Sequence, residues 1–352
     1  MLKELNIFIK NKGKKIIAFS LFYSGYYDFQ LRRSRNKSVI LMYHRVSESS
    51  AGDNCTKFEV GVAKNNFEAQ MKYIRKNMNP LPLSDLVGYI IAGKEIPEKT
   101  IAVTFDDGYE DNYINAYPVL KKYSIPATIF LTTDHIESSK IFWWDKVSEI
   151  IKKTSESFIN VNEFRTVSNS RFNLQDSLKL GNWTQKAYAI GTIINLFKTF
   201  EYKKIPDAVD LLQRMLDIDN KDIENPAMVT WKQIKEMSNN GIDFGAHTAT
   251  HPDLTKIDLK EAEKEILKSK ETIENKTNNT ASGFAYPFGL SVNLNNQIKK
   301  IARDYFQYAC TAKMGPVADC SDIYGLKRVS VPNSSVSLVL DKITKALKYF
   351  SA

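Results

Sequence analysis

Two clusters of side chains stand out for the chemistry they could do. Thr104-Phe-Asp-Asp-Gly108 places two adjacent carboxylates directly after an apolar run, with a glycine to release the backbone. Carboxylates that close cannot both stay ionised in an apolar site, so water or a cation must answer them. His247-Thr-Ala-Thr-His251 gathers two of the chain's four histidines. A helical i, i+4 pair would suit a metal. However, Pro252 pushes His251 away from right-handed helical geometry, which predicts a loop or a helix entry there. Imidazole is a frequent zinc ligand, and two imidazoles with one carboxylate leave a position open for water. Singly, each cluster has an ordinary reading, as an Asp-Asp-Gly surface turn or as two solvated or structural histidines. Together they favour a metal site.

Such groups need elements to position them. Apolar runs of strand length occur at Val39–Tyr43, Ile101–Phe105, Ala127–Leu131, Ile242–Ala246, Gly283–Tyr286, Tyr308–Thr311 and Lys327–Val331. Several are almost unbroken in Val, Ile and Phe, as strands covered on both faces should be. Helical spacing lies between them, in Phe67/Met71/Ile74 and in Tyr117/Leu120/Tyr123. Thr230 with Gln233 has capping-box spacing, Asp258 with Glu261 repeats it, and Gly241 stops the first of those two helices. Strands alternating with helix-length crossovers predict an α/β fold with a parallel sheet, open or closed. Both clusters then fall just past a strand's C-terminal end.

Residues 135–228 break the rhythm. They are polar and helix-leaning without a strong buried strand, and they open with Ile141-Phe-Trp-Trp-Asp145. We read them as an insertion capping one face of the sheet. Trp143 and Trp144 have two readings, stacking on a sugar ring or pinning the insertion to its domain.

The chain has 352 residues and a formal charge of +9. Residues 1–37 hold nine Lys/Arg against Glu4 and Asp28, which leaves 40 basic and 38 acidic residues in 38–352. So nearly neutral a body argues against tracking a nucleic-acid backbone. Cys55, Cys310 and Cys320 are too few and scattered for a disulfide framework, which fits a reducing compartment, and no CxxC or finger spacing builds a zinc module. Ile16–Tyr27 is an apolar 12-residue run with basic flanks, short of the ~20 residues that span a bilayer. We expect residues 1–37 to be a peripheral hold on an anionic membrane, a first helix packed on the domain, or an uncleaved signal anchor. A cytoplasmic, membrane-peripheral place follows from the first reading.

The two clusters and Tyr286-Pro-Phe-Gly289, in this order, resemble the motifs of the polysaccharide deacetylase family, the metal-dependent carbohydrate esterases of family four. The three motifs span about half of the chain, and the strand–helix rhythm extends the match over residues 38–332 of a domain at 38–352. The resemblance implies an irregular, incomplete (β/α) barrel with its site at the C-terminal strand ends. It implies that Asp107, His247 and His251 hold a divalent metal, Zn2+ foremost, although two imidazoles and a carboxylate accept several ions. Asp106 would be the general base toward the attacking water, a backbone N–H near Phe288 would stabilise the oxyanion, and a general acid would protonate the leaving amine. Tyr286, Pro287, Phe288, Trp143 and Trp144 are the candidate substrate contacts.

Three features depart from the family pattern. Ala285 stands where an arginine usually orients the base, and the Asp-Trp partner motif is missing; Arg328 is a candidate substitute. No histidine follows His251, so the usual C-terminal Leu-x-His motif is absent. Some members are circularly permuted, which nominates His44, at the end of the first strand, as general acid; the plain alternative is a buried structural histidine. His135 is given no role. The function implied is removal of an N-acyl group, acetyl first, from an amino sugar in a glycan, lipid-linked or nucleotide-linked saccharide. The alternatives are a cyclic amide or ureide hydrolase on the same fold and a non-catalytic glycan-binding module. A glycosidase is disfavoured, because adjacent carboxylates rarely achieve the ~5–9 Å separation such enzymes need.

Overall fold

The computed structural model describes residues 2–48, 61–168, 176–289, 296–318, 321–331 and 333–348, with side chains from residue 13 onward. Six parallel strands form its centre: β1 (Lys37–Tyr43), β2 (Thr100–Phe105), β3 (Ala127–Leu131), β4 (Ile242–Ala246), β5 (Gly283–Ala285) and β6 (Tyr308–Cys310). They lie side by side in chain order. The register is even, with Val39 opposite Ile101, Val103 opposite Ala127 and Ala127 opposite Ile242.

The sheet curls until one segment touches both edges. Leu326 bonds to Ala309 and Thr311 beside β6. Three residues on, the short strand β7 (Val329–Ser330) pairs in parallel with Leu41 and Met42 of β1. The result is an irregular, incomplete barrel. Cys55, Cys320 and Pro332 fall outside the described residues.

Side-chain alternation sorts the strands into two faces. Val39, Leu41, Tyr43, Ile101, Val103, Phe105, Ile129 and Leu131 face outward into a core shared with the surrounding helices. Ile40, Ala102, Phe130, Ala285 and Cys310 face inward and meet α4 (Leu83–Ile91), which closes the N-terminal end. The same period of two carries on past the strand ends. Met42 and His44 continue the inward row of β1, and Thr104 and Asp106 that of β2.

A second hydrophobic cluster belongs to the insertion. It is built by α6 (Trp143–Lys153), α7 (Trp183–Phe197) and α8 (Ile205–Met215). A short antiparallel pair, Phe158–Asn160 with Ser177–Lys179, adds to the helix-leaning expectation; strands of three residues are too brief to show a period. The capping box at Thr230 is complete, whereas Asp258 only accepts from the Glu261 N–H. At the N-terminus, α1 (Leu2–Tyr23) and α2 (Tyr26–Arg33) pack on α12 (Val336–Lys348). No helix among the described residues is long and apolar enough to cross a membrane.

Candidate active site

The end of β2 turns sharply. The Asp106 N–H still pairs with the Tyr43 carbonyl, and then the Gly108 N–H folds back onto the Asp106 carbonyl at 3.0 Å. Asp107 sits at the apex of this tight turn with φ of 76°. That left-handed geometry is costly for a residue with a side chain, and it separates the two neighbouring carboxylates. Gly108 has φ of 87°, and a Cβ there would meet Leu131 at 2.8 Å. Thr248 (66°), His251 (62°) and Phe288 (52°) share the left-handed conformation around the same cavity. Four of the ten non-glycine residues at positive φ among the described residues thus gather around one cavity.

His247 and His251 lie on a loop rather than a helix, as Pro252 predicts. Glu265 of α10 (Leu259–Thr277) holds that loop by accepting from the Ala249 and Thr250 N–H groups and the Thr250 hydroxyl. The Thr248 hydroxyl accepts from the His251 N–H at 3.0 Å. The His247 Nδ1 lies 2.7 Å from the Ala285 carbonyl. A carbonyl only accepts, so Nδ1 carries the proton and Nε2 presents a bare lone pair. Ala285 thereby serves through its backbone at a position where an arginine side chain was expected.

Asp107 Oδ1 is 3.6 Å from His247 Nε2 and 3.4 Å from His251 Nε2. One ligand atom from each of the three residues lies within 4.8 Å of the others, and all three residues are buried. Asp107 Oδ1 has no hydrogen-bond partner. Burial first, and then the charge of Asp106, push the Asp107 carboxyl well above its usual range. A carboxylate oxygen without a donor, facing the bare Nε2 of His247 and the Nε2 of His251, is the electrostatic counterpart of a divalent cation, and the donor set fits one.

Asp106 has the opposite surroundings. Arg328 grips it with Nη1 to Oδ1 and Nη2 to Oδ2, both at 2.7 Å. Arg328 is itself buried and aimed by Nε to the Thr311 carbonyl and Nη1 to the Thr104 hydroxyl. Burial opposes ionisation of Asp106, but the Arg328 charge and then His247 outweigh it and hold the carboxyl at about 2. Two adjacent aspartates therefore have split roles, one neutralised by an arginine and one open to a metal.

These groups line a cavity of about 240 Å3, together with His44, Trp144, Tyr286 and Phe288. The Trp144 Nε1–H donates to the Tyr109 hydroxyl, which itself donates to Asp145. So fixed, the indole meets His251 edge-on with ring centres 4.7 Å apart and Phe288 at 5.8 Å. His44 lines the cavity with its buried Nδ1 unpartnered, and burial lowers its pKa to about 4. Pro287 is buried and is not part of the cavity wall, and Trp143 faces an adjoining groove instead. His135 stacks on Phe142, which stacks on Trp144, so it backs the wall without reaching the cavity. Ile194 and Lys198 of the insertion also line the cavity. Nothing in their sequence context distinguishes them from other apolar and basic residues of that stretch; only the docking of α7 brings them here.

The polysaccharide deacetylase family profile matches residues 93–159 and 191–307, more than half of the chain. The chain belongs to the polysaccharide deacetylase family. The unmatched gap, 160–190, lies within the insertion. A poly-beta-1,6-N-acetyl-D-glucosamine N-deacetylase of Staphylococcus aureus is 31% identical over 160 residues, covering 43% of this chain and 54% of that enzyme. The chain thus matches about half the length of this relative. YxkH of Bacillus subtilis is 25% identical over 297 residues, covering 84% of this chain and 71% of that protein. Among solved structures, the Streptococcus pyogenes deacetylase PplD, in complex with acetate, superposes with a TM-score of 0.56 at 20% identity. It covers 88% of this chain and 98% of PplD. IcaB from Ammonifex degensii gives 0.55 at 17% identity, over 89% and 97%. At such identities these two superpositions speak for the barrel fold.

Proposed function

We propose that this polysaccharide deacetylase family member removes N-acetyl groups from an amino-sugar glycan. The observation that carries the reading is Asp106, kept ionised by Arg328, in one cavity with Asp107, His247 and His251. Those last three residues would hold Zn2+, which when bound supplies Lewis acidity toward both the attacking water and the acyl oxygen. Asp106 accepts the proton of that water as it attacks the acyl carbon. The Phe288 N–H, which has no acceptor among the described residues, donates to the developing oxyanion. As the C–N bond breaks, His44 gives a proton to the leaving nitrogen. His44 is neutral at rest, so the proton it gives is the one Asp106 took from the water and passed to it, and the products are acetate and the free amine. Tyr286, Phe288 and Trp144 shape the sugar and acetyl site, and Trp143 belongs to its extension.

The test is acetate release from N-acetylated β-1,6-linked glucosamine oligosaccharides and UDP-N-acetyl sugars, with zinc or cobalt added. Asp106→Asn is expected to keep stoichiometric metal and lose roughly 10²–10⁴-fold in turnover, the usual worth of a general base. His44→Ala is expected to keep its metal and lose turnover as well. Metal binding without acetate from any glycan would move the reading to a cyclic amide hydrolase. Absence of metal binding would end the enzymatic reading.

We further propose that residues 1–37 hold the catalytic domain, 38–352, against an anionic membrane surface from the cytoplasmic side. In α1, Ile16, Phe19 and Tyr23 fall at i, i+3, i+7 and are exposed (65%, 57% and 72%), while Ala18 on the opposite side is buried. Their surroundings carry most of the chain's excess positive charge. An exposed apolar stripe within a basic field suits an interfacial helix. The protein is expected to co-sediment with phosphatidylglycerol vesicles at low salt and much less with phosphatidylcholine. Changing Ile16, Phe19 and Tyr23 together to Ser should abolish this, and equal sedimentation of both forms would refute it.

A further inference from the structure

The insertion does more than cap the barrel. Between α6, α8 and the end of α7 it opens a second cavity of about 460 Å3, which meets the active-site cavity at Lys198, Phe288 and Ala312. Trp143, Tyr202 and Phe288 supply its aromatic surface. The groove therefore continues the path away from the reacting atoms.

Its charged groups are unevenly employed. Lys256 is tied down, with its ammonium donating to the carbonyls of Lys198 and Phe200 just past the end of α7. Asp253 Oδ1 accepts from the Thr255 N–H and hydroxyl, which keeps it in its own turn. Lys198 differs. Among the described residues its ammonium has no hydrogen bond or ion pair and lies 5.6 Å from the centre of the Phe288 ring. Its side chain is part of the wall of both cavities, although the residue as a whole reaches solvent. A solvent-reaching ammonium on an aromatic face, with no carboxylate among the described residues bonded to it, is poised for an anion brought by the ligand.

We propose that Lys198 reads an anionic substituent, a carboxylate or a phosphate, on the sugar adjacent to the one whose amide is cut. This rests on the deacetylase reading and narrows its substrate class to acidic amino-sugar glycans. Here Lys198 is a specificity residue and takes no part in bond breaking. The barrel supplies the chemistry, and the insertion selects the glycan by its charge.

The experiment compares three N-acetylated substrates of similar length: a neutral β-1,6 oligosaccharide, one with a uronate neighbour and one with a phosphorylated neighbour. Lys198→Gln is expected to lower kcat/KM on an acidic substrate by about tenfold or more through KM, and by less than about twofold on the neutral one. Lys198→Arg should restore most of the loss. The uronate and phosphate arms tell which anion is read. Equal loss on all three substrates, or no loss on any, would overturn the inference. Binding of the same oligosaccharides to Asp106→Asn, followed by calorimetry, gives a readout that needs no turnover. If wild type releases acetate from none of them while Lys198 still discriminates in binding, the deacetylase reading fails and the anion site stands. If acetate comes from the neutral glycan and Lys198→Gln changes nothing, only the anion site fails.

Discussion

Arg328→Met is expected to cost the protein about 3–5 kcal/mol of stability and nearly all of its turnover. The reason is the asymmetry of buried ion pairs. Removing one partner strands the other charge in a medium that cannot solvate it, whereas removing both leaves only a packing change. Arg328 and Asp106 are both buried and joined by two 2.7 Å bonds, and neither can relax toward water. Methionine keeps much of the arginine stem's volume, so the loss reports the charge. Without Arg328, burial acts on Asp106 nearly unopposed, the carboxyl is driven to its protonated form, and the base is lost. Combining Arg328→Met with Asp106→Asn should return most of the stability and none of the activity. Chemical denaturation reads the first effect and acetate release the second. A single variant within about 1 kcal/mol of wild type would show that the pair is not the support we take it to be. Linkage gives the wild-type counterpart. The Asp106 carboxyl is held at about 2 against an ordinary 3.8, so the pair's contribution is complete above that ordinary value and drains away as the pH falls toward 2.

The second large effect has two opposite signs. Asp107→Asn is expected to abolish stoichiometric metal uptake, with zinc affinity falling by more than about 100-fold, since even outer-shell changes reach that size. The same substitution should make the metal-stripped protein more resistant to heat. Stripped of a cation, Asp107 is a buried carboxylate next to a second one, with an oxygen that no donor satisfies. Asparagine keeps its shape and removes the charge. Zinc should raise the thermal midpoint of wild type, because it binds the folded state, and leave Asp107→Asn unmoved. A variant that is less stable than stripped wild type, or that takes up zinc as tightly, would contradict this account of the site.

Much of this site was legible in local sequence because its parts are local. Asp106, Asp107, His247 and Tyr286 each follow an apolar run, and a parallel strand buried on both faces announces itself in composition. Alternation then decides direction, since residues 102, 104 and 106 share a face. His251-Pro252 marked a loop, because proline restricts the residue before it. What stayed hidden depends on contacts between distant segments. Arg328 could be nominated from the sequence as the partner of Asp106 but not placed there: it lies 222 residues further on, and the segment that touches both edges of the curled sheet brings it in. The bond from His247 to the Ala285 carbonyl is invisible in side-chain identities, since any residue supplies a carbonyl. Lys198 and Ile194 come from an insertion whose own core sets where they point. The sequence by itself determined the chemistry available: two carboxylates and two imidazoles at the ends of buried strands. The motif resemblance divided the roles of Asp106 and Asp107, but only the tertiary structure supplied a physical ground for the division, Arg328 against one carboxylate and an unpartnered oxygen on the other, because packing across the barrel sets it and no local pattern reaches that far.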